Sequence, residues 1–243
     1  MTFRLLSNRF TLQTCPRLIK IRDVVVIFID ITNSQALIKA LGEYAAYANT
    51  FNLFKRLQAS AVYFGLYTLK TNGDQIVLVS HNYDTATSPF RDNYGKATSA
   101  FSFAHRAHIV ANEIAKQSTS DIRLRIGIAQ GNAFLSNAAP HLQHGDIWGK
   151  TINKAAMLEQ YTLPGSTALC TTTFNNLPKA CKYECSNHTF NTKSGDLVAK
   201  VVVNAASTLT DTKLRAFNKK LSPPFSSLAA ITRAQGGKLR PFH

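Results

Sequence analysis

From Asp23 to Asp30 the chain reads DVVVIFID, a continuous apolar run that ends in an acid. Such a run predicts a central strand buried on both faces, with its last carboxylate delivered to the strand end. Thr32, Asn33 and Ser34 then offer helix caps, and apolar residues at Leu37, Ile38, Leu41, Ala45, Ala48, Phe51 and Phe54 predict one helix from about Gln35 to Leu57. Two strand-like runs follow, AVYFGLYTLK and QIVLVS, separated by TNGD. An Asn-Gly pair between β-rich runs predicts a hairpin, which puts Asp74 at its tip.

Residues 81–99 are polar with Pro and Gly and predict a long loop before a helix near Ala100 to Lys116. RLRIGIAQG predicts a strand, and its Gly-rich exit leads through a loop to a helix start in DIWGKTINKAAMLEQY. Shorter strands are expected at STALCT, KYECSN and LVAKVVV. The order is βαββαβ with extra C-terminal strands, an α+β, ferredoxin-like arrangement with helices covering one face of an antiparallel sheet. The expected organisation is a basic N-terminal segment over 1–22, one folded domain over 23–204, and a basic, poorly ordered tail over 205–243.

Composition changes the picture in two ways. At 243 residues and 45% apolar content the chain can bury a full core. No apolar run approaches the ~18 residues of a membrane-spanning helix, so no transmembrane segment is expected. The net charge of +15 suggests a nucleic-acid partner until its distribution is read. Residues 1–22 hold five basic and no acidic side chains, and residues 205–243 hold seven basic against one acidic, so the ends carry +11 of the total. The folded part is only weakly basic, and the flanks read as solvated or as touching membrane or nucleic acid non-specifically. Four cysteines (Cys15, Cys170, Cys181 and Cys185) lack the density of a disulfide framework and no secretory leader precedes them, which points to free thiols and a cytoplasmic location.

Two carboxylates carry the candidate chemistry. Asp30 ends the first strand and Asp74 tips the neighbouring hairpin, so in a βαββ unit both can project from one edge of the sheet. Hard oxygen ligands with room for phosphate oxygens suit Mg²⁺ or Mn²⁺. Two such ions would activate an attacking hydroxyl and neutralise a leaving pyrophosphate. The competing reading is local: Asp30 capping the next helix and Asp74 fitting a turn.

VVVIFIDITNSQALIKALG resembles the opening strand and helix of the class III adenylate and guanylate cyclases. TLKTNGDQIVLV is similar to their hairpin, and LRIGIAQGNAF followed by GDIWGKTINKAAMLEQYTLPGSTALCTTTFNNL to their third block. The segments run in family order over about residues 23–204. The resemblance implies a nucleotide cyclase, a phosphorus-oxygen lyase making a 3',5'-cyclic nucleotide second messenger and pyrophosphate with two Mg²⁺ or Mn²⁺ ions per site. It implies metal binding by Asp30, Asp74 and the carbonyl of Ile31, and base reading by Lys70 with Asp146. Asn153 matches the ribose-orienting asparagine. One helical turn on, where the family has a transition-state arginine, stands Met157. Losing such a donor costs about 3 kcal/mol in a pre-organised site. Lys154 beside Asn153, or Lys150, Arg123 or Arg125, are the candidates to supply the charge. Because the family takes the metal aspartates from one subunit and the base and ribose residues from the other, the resemblance also implies a head-to-tail homodimer with shared sites.

Two lines of evidence divide over the base. Lys70 with Asp146 favours adenine, whereas stand-alone class III-like domains of this size resemble the pyrimidine cyclases of bacterial anti-phage systems, which make cyclic UMP or cyclic CMP. Other readings of the chain are a cyclase-like nucleotide-binding protein without turnover, motivated by Met157, and a nucleic-acid-binding protein, motivated by the basic ends. Cys181, Cys185 and His188 have metal-like spacing but supply only three ligands. His141 and His144 read as exposed loop histidines, and Phe101, Phe103 and His105 as packing residues on a helix.

Overall fold

The computed structural model describes residues 18–80, 89–136, 146–193 and 195–203, with side chains from 94 onward in the second stretch. The first strand, β1, spans Leu18–Thr32, longer at both ends than its apolar run. Val24 to Ile29 are each at most 8% exposed, as a strand covered on both faces requires. β1 pairs antiparallel with β3 (Gln75–Val79) on one side and with β4 (Arg123–Ser136) on the other. Its register with β4 shifts between Ile21 and Val24, where Asp23 adopts φ 54°. The four residues before that bulge, Leu18 to Ile21, pair with β4 alone and extend the sheet towards the chain start.

The single helix expected after β1 is two: α1 (Ser34–Leu41) and α2 (Glu43–Tyr63). Gly42 separates them at φ 81°, ψ 158°, a conformation open to glycine that no helix can continue through. Asn33 occupies the cap position in the left-handed region but its side chain makes no capping bond. α2 also runs further than expected. Leu53, Phe54, Leu57, Ser60 and Ala61 form one buried helical stripe, so Ala61–Tyr63, read above as strand, complete the helix. The strand β2 is confined to Tyr67–Asn72, and the β2–β3 hairpin turns at Gly73 and Asp74 as predicted.

α3 (Pro89–Ser118) starts inside the stretch predicted as loop and consists of two helical pieces that meet at a kink, where Gly95 adopts a non-helical φ 78°, ψ 166°. β5 (Asp146–Trp148) is a short strand on β4 that precedes α4 (Lys150–Tyr161). β6 (Ser166–Leu169) stops where Cys170 Sγ accepts a hydrogen bond from Thr173 N and caps α5 (Thr171–Asn175). The KYECSN run is not one strand: α6 (Lys179–Lys182) takes its start, and β7 (Ser186–Thr192) begins at its end, followed by β8 (Gly195–Val203).

The sheet order is β2-β3-β1-β4-β6-β8-β7, with β5 on β4. Its first four strands have the ferredoxin-like order, and the C-terminal strands extend it beyond β4. Two expectations are corrected. β6 runs parallel to β4, so the sheet is mixed, and parallel neighbours need a crossover, which α4 supplies. That crossover covers the second face. Ile152, Ala155 and Leu158 of α4 join Val24, Val26 and Phe28 of β1 in one apolar cluster, while the alternate residues Val25, Ile27 and Ile29 point to the side of α2 and α3. Gly127 on β4 makes the close contact possible: a Cβ there would lie 2.2 Å from Ala155 O and 2.3 Å from Glu159 N.

Phe101 and Phe103 are fully buried and His105 nearly so, in line with a packing role. Cys170, Cys181 and Cys185 are free thiols. Among the described residues no helix is long and apolar enough to cross a membrane. His141, His144, Cys15 and the whole 205–243 segment lie outside the described residues.

Candidate active site

Asp30 sits near the C-terminal end of β1, opposite Gln75 on β3 and Arg125 on β4. The hairpin carries Asp74 to the same edge, where Asp74 O accepts a hydrogen bond from Ile31 N at 3.2 Å. Asp30, Ile31 and Asp74 are thus adjacent through backbone pairing alone. Burial raises the Asp30 carboxyl above its ordinary range, and the nearby charge of Asp74 pushes it the same way. Arg125 opposes both, with Nη2 donating to Asp30 Oδ2 at 2.6 Å.

Two half-buried carboxylates that repel each other, one of them already covered by a cation, form a site that a divalent ion fits. Among the described residues there is no cluster of three His, Cys, Asp or Glu side chains able to hold a metal. A donor set of these two carboxylates with a backbone carbonyl would leave the remaining positions to phosphate and water and would suit Mg²⁺ or Mn²⁺ better than zinc. Cys181, Cys185 and His188 are part of no such cluster.

Glu159, which the sequence reading passed over, lies behind this pair. Its side chain is 6% exposed, with Oε1 3.3 Å from Arg125 Nε and Oε2 accepting from Gln75 Nε2 at 3.2 Å. Burial, then the charge of Asp30, push its carboxyl up to about 7 against the pull of Arg125. The available signal was its spacing: four residues after Ala155 and next to Leu158, it is an acid on the apolar stripe of α4.

Lys70 on β2 and Asp146 on β5 meet 76 residues apart in sequence, with Lys70 Nζ 3.1 and 3.2 Å from the two carboxylate oxygens. Asp146 also accepts from its neighbour Ile147 N at 2.9 Å, which orients the carboxylate. Asp146 is therefore the first residue of a strand and not the cap of α4; that position belongs to Gly149.

Asn153 and Lys154 are exposed in the first turns of α4, and among the described residues their side chains make no hydrogen bond or ion pair. Neither bonds to the carboxylate pair or to Lys70 among the described residues. Met157 packs partly buried against the apolar cluster. Of the four cations considered for its place, Lys150 is exposed, and Arg123 is 57% exposed and paired with Asp121. Only Arg125 stands at the carboxylate site.

The family model for the adenylate and guanylate cyclase catalytic domain matches residues 18–201. Among solved structures, the guanylyl cyclase Cya2 superposes with a TM-score of 0.63 at 16% identity, over 79% of this chain and 98% of that one. The adenylyl cyclase CyaB from P. aeruginosa gives 0.62 at 18% identity, over 76% and 96%. The guanylyl cyclase domain of the RhoGC fusion protein from the aquatic fungus Blastocladiella emersonii gives 0.60 at 21% identity, over 76% and 97%. At these identities the structures establish the fold. No protein of curated function matches the sequence. The family model covers most of the chain and takes in both carboxylates, the Lys70–Asp146 pair and Asn153: the chain belongs to the class III adenylate and guanylate cyclase catalytic domain family and is a nucleotidyl cyclase.

Proposed function

We propose that the enzyme converts ATP to 3',5'-cyclic AMP and pyrophosphate, at sites completed by two copies of the chain. The ion pair of Lys70 with Asp146 carries the reading of the base. The pair presents a fixed donor next to a fixed acceptor, and adenine offers the complement along one edge, a ring-nitrogen acceptor beside an amino donor. Cytosine offers the same two groups, so CTP is the pyrimidine triphosphate this pair would accept. Guanine and uracil carry a protonated ring nitrogen and a carbonyl in those places, which sets like groups against like and leaves polar groups unpaired.

Asp30, Asp74 and the carbonyl of Ile31 would hold two Mg²⁺ or Mn²⁺ ions, which supply a hydroxyl of lowered pKa and neutralise the leaving pyrophosphate. Arg125, beside Asp30, adds a fixed positive charge on the phosphate side. Asn153 orients the ribose, and Lys154 next to it brings a second positive charge to the same helix turn. Since Asn153 and Lys154 are exposed and make no hydrogen bond or ion pair among the described residues, they are available to serve the site of a second copy arranged head to tail. Phe134 and Trp148, cross-strand partners on β4 and β5 that are 42% and 56% exposed, supply apolar surface beside Asp146 for that contact.

Purified protein incubated with each of the four ribonucleoside triphosphates and Mn²⁺, with products identified by mass, tests the reading. Cyclic AMP should dominate, with cyclic CMP the next product. Cyclic UMP or cyclic GMP as the main product would overturn the assignment of the base, and tight nucleotide binding without any cyclic product would overturn turnover.

A further inference from the structure

We infer that Glu159 is a positioning residue that keeps Arg125 in the site when a divalent cation takes Asp30 from it. The inference rests on the metal-binding reading of Asp30 proposed above. It starts from the three groups that hold the Arg125 guanidinium. Nη2 donates to Asp30 Oδ2 at 2.6 Å, Nη1 donates to Gln160 O at 3.3 Å, and Nε lies 3.3 Å from Glu159 Oε1. The first partner is on β1; the other two are at the C-terminal end of α4.

A metal ion bound at Asp30 Oδ2 competes with Arg125 for that oxygen's lone pairs and repels its guanidinium, and two ions held by Asp30 draw on both of its oxygens. Occupation of Asp30 therefore removes the shortest contact of Arg125. What remains is the Glu159 carboxylate and a carbonyl of the last helical turn, where the helix dipole is negative and favours a cation. Without Glu159, a released guanidinium would keep only that carbonyl and would be drawn to solvent.

Glu159 is itself rigidly held. Gln75 donates to its other oxygen, its side chain is 6% exposed, and its backbone is pressed against Gly127. The contact it makes with Arg125 is also unfinished. Arg125 Nε and Glu159 Oε1 are both buried, both lack a hydrogen-bond partner among the described residues, and stand at ion-pair distance without hydrogen-bond alignment. A buried pair whose only purpose was stability would be a poor one, since misaligned charges do not recover their desolvation cost. The same pair is well placed to close once the guanidinium turns from Asp30.

The test is Mn²⁺ binding to the nucleotide-free full-length chain, read from the electron paramagnetic resonance of the free ion. Asp30→Asn establishes that the signal reports this site: if it leaves Mn²⁺ binding unchanged, the metal assignment itself fails and the inference falls with it. With that control passed, Arg125→Met should bind Mn²⁺ severalfold more tightly than wild type, because the competing cation is gone. Glu159→Gln should bind it more weakly, because Arg125 then has Asp30 as its only carboxylate. In the Arg125→Met background the same Glu159→Gln change should have much less effect. An equal loss in both backgrounds would mean that Glu159 acts only as a nearby negative charge, and would overturn the inference while leaving the metal assignment intact. Glu159→Asp gives a second arm that does not depend on Glu159→Gln folding. It keeps the charge but shortens the reach, so an anchor predicts weakened Mn²⁺ binding and a nearby charge predicts wild-type binding.

Discussion

Lys70 Nζ lies 3.1 Å from Asp146 Oδ1, joining the hairpin strand β2 to the short strand β5. The lysine side chain is 37% exposed, and an ion pair this open contributes at most about 1 kcal/mol to stability. Lys70→Met should therefore leave the melting temperature nearly unchanged. Its effect should fall on the nucleotide, raising KM for ATP more than it lowers kcat and narrowing the difference in rate between ATP and GTP. A melting temperature that drops by many degrees with unchanged base preference would make the pair structural.

Asp30→Ala and Asp74→Ala should each abolish turnover while the protein stays folded, because both lie at the sheet edge outside the core. Asn153→Ala should also be inactive. Mixing Asp30→Ala with Asn153→Ala protein should restore about a quarter of wild-type activity, since random pairing makes half the dimers mixed and each mixed dimer has one intact site of two. A mixture no more active than its components would exclude sites shared between subunits.

Met157→Arg should raise kcat with little change in KM, because a charge that acts on the transition state appears in turnover and not in ground-state binding. The same change should lower stability by about 1 kcal/mol, as Met157 packs against the apolar cluster and arginine must leave it. A fall in turnover would show that another cation already acts there. Arg125→Ala in the natural enzyme should then cause the larger loss among the cations considered, being the one that contacts a site carboxylate.

Gly127→Ala should be severely destabilising for a substitution of one methyl group. Its Cβ would meet backbone atoms of Ala155 and Glu159 at 2.2 and 2.3 Å, and neither can rotate away. Thermal unfolding should show a loss of about 3 kcal/mol or more, at the upper end for overpacking. Any folded fraction should have α4 displaced from β4, with activity lost because Asn153 and Glu159 move with it. A stable, active Gly127→Ala protein would mean that α4 can slide without consequence.

The two buried histidines of α3 should make the protein acid-sensitive. Burial lowers His105 to about 4 and His108 to about 3, the latter helped by the charge of His105, from an ordinary 6.5. His108 Nε2 is 3.1 Å from Thr167 Oγ1, and His105 Nε2 is 3.8 Å from Glu184 Oε2. The unfolded chain takes up these protons below pH 6.5 while the folded chain does not, so stability is full above that value and falls as pH drops towards 4. The slope is about 1.4 kcal/mol per pH unit for each proton. Glu159 acts in the opposite sense, its contribution declining as pH rises from 4.5 through about 7. Melting temperatures measured from pH 7 to 4.5 should fall less steeply for His108→Gln than for wild type; equal slopes would mean that His108 is charged in the folded protein.

Much of the site was legible because the pattern that announces each element also places its chemistry. The apolar run that makes β1 central ends at Asp30, and the Asn-Gly signal that makes the hairpin leaves Asp74 at its tip. Both are short-range consequences of strand burial and turn geometry, so no knowledge of distant partners was needed. Local signals misled where the tertiary setting overrode them. Ala61–Tyr63 are as β-prone as the residues after them, yet the buried stripe from Leu53 continues through Ala61 and holds them in α2. The Gln35–Leu57 periodicity crosses Gly42 without a break in pattern, although the backbone there turns out of the helix.

By itself, then, the sequence determined the α+β class, the ferredoxin-like order of the first four strands, the carboxylate pair and the absent arginine at Met157, because periodicity, turn chemistry and motif order are properties of neighbouring residues. Only the tertiary structure decided that α4 crosses over to cover the second face of the sheet, that Lys70 meets Asp146, and that Arg125 is held between Asp30 and Glu159. Those contacts join residues from 34 to 95 positions apart, and their existence depends on strand register and on the space Gly127 leaves for a helix, neither of which any local stretch of chain encodes.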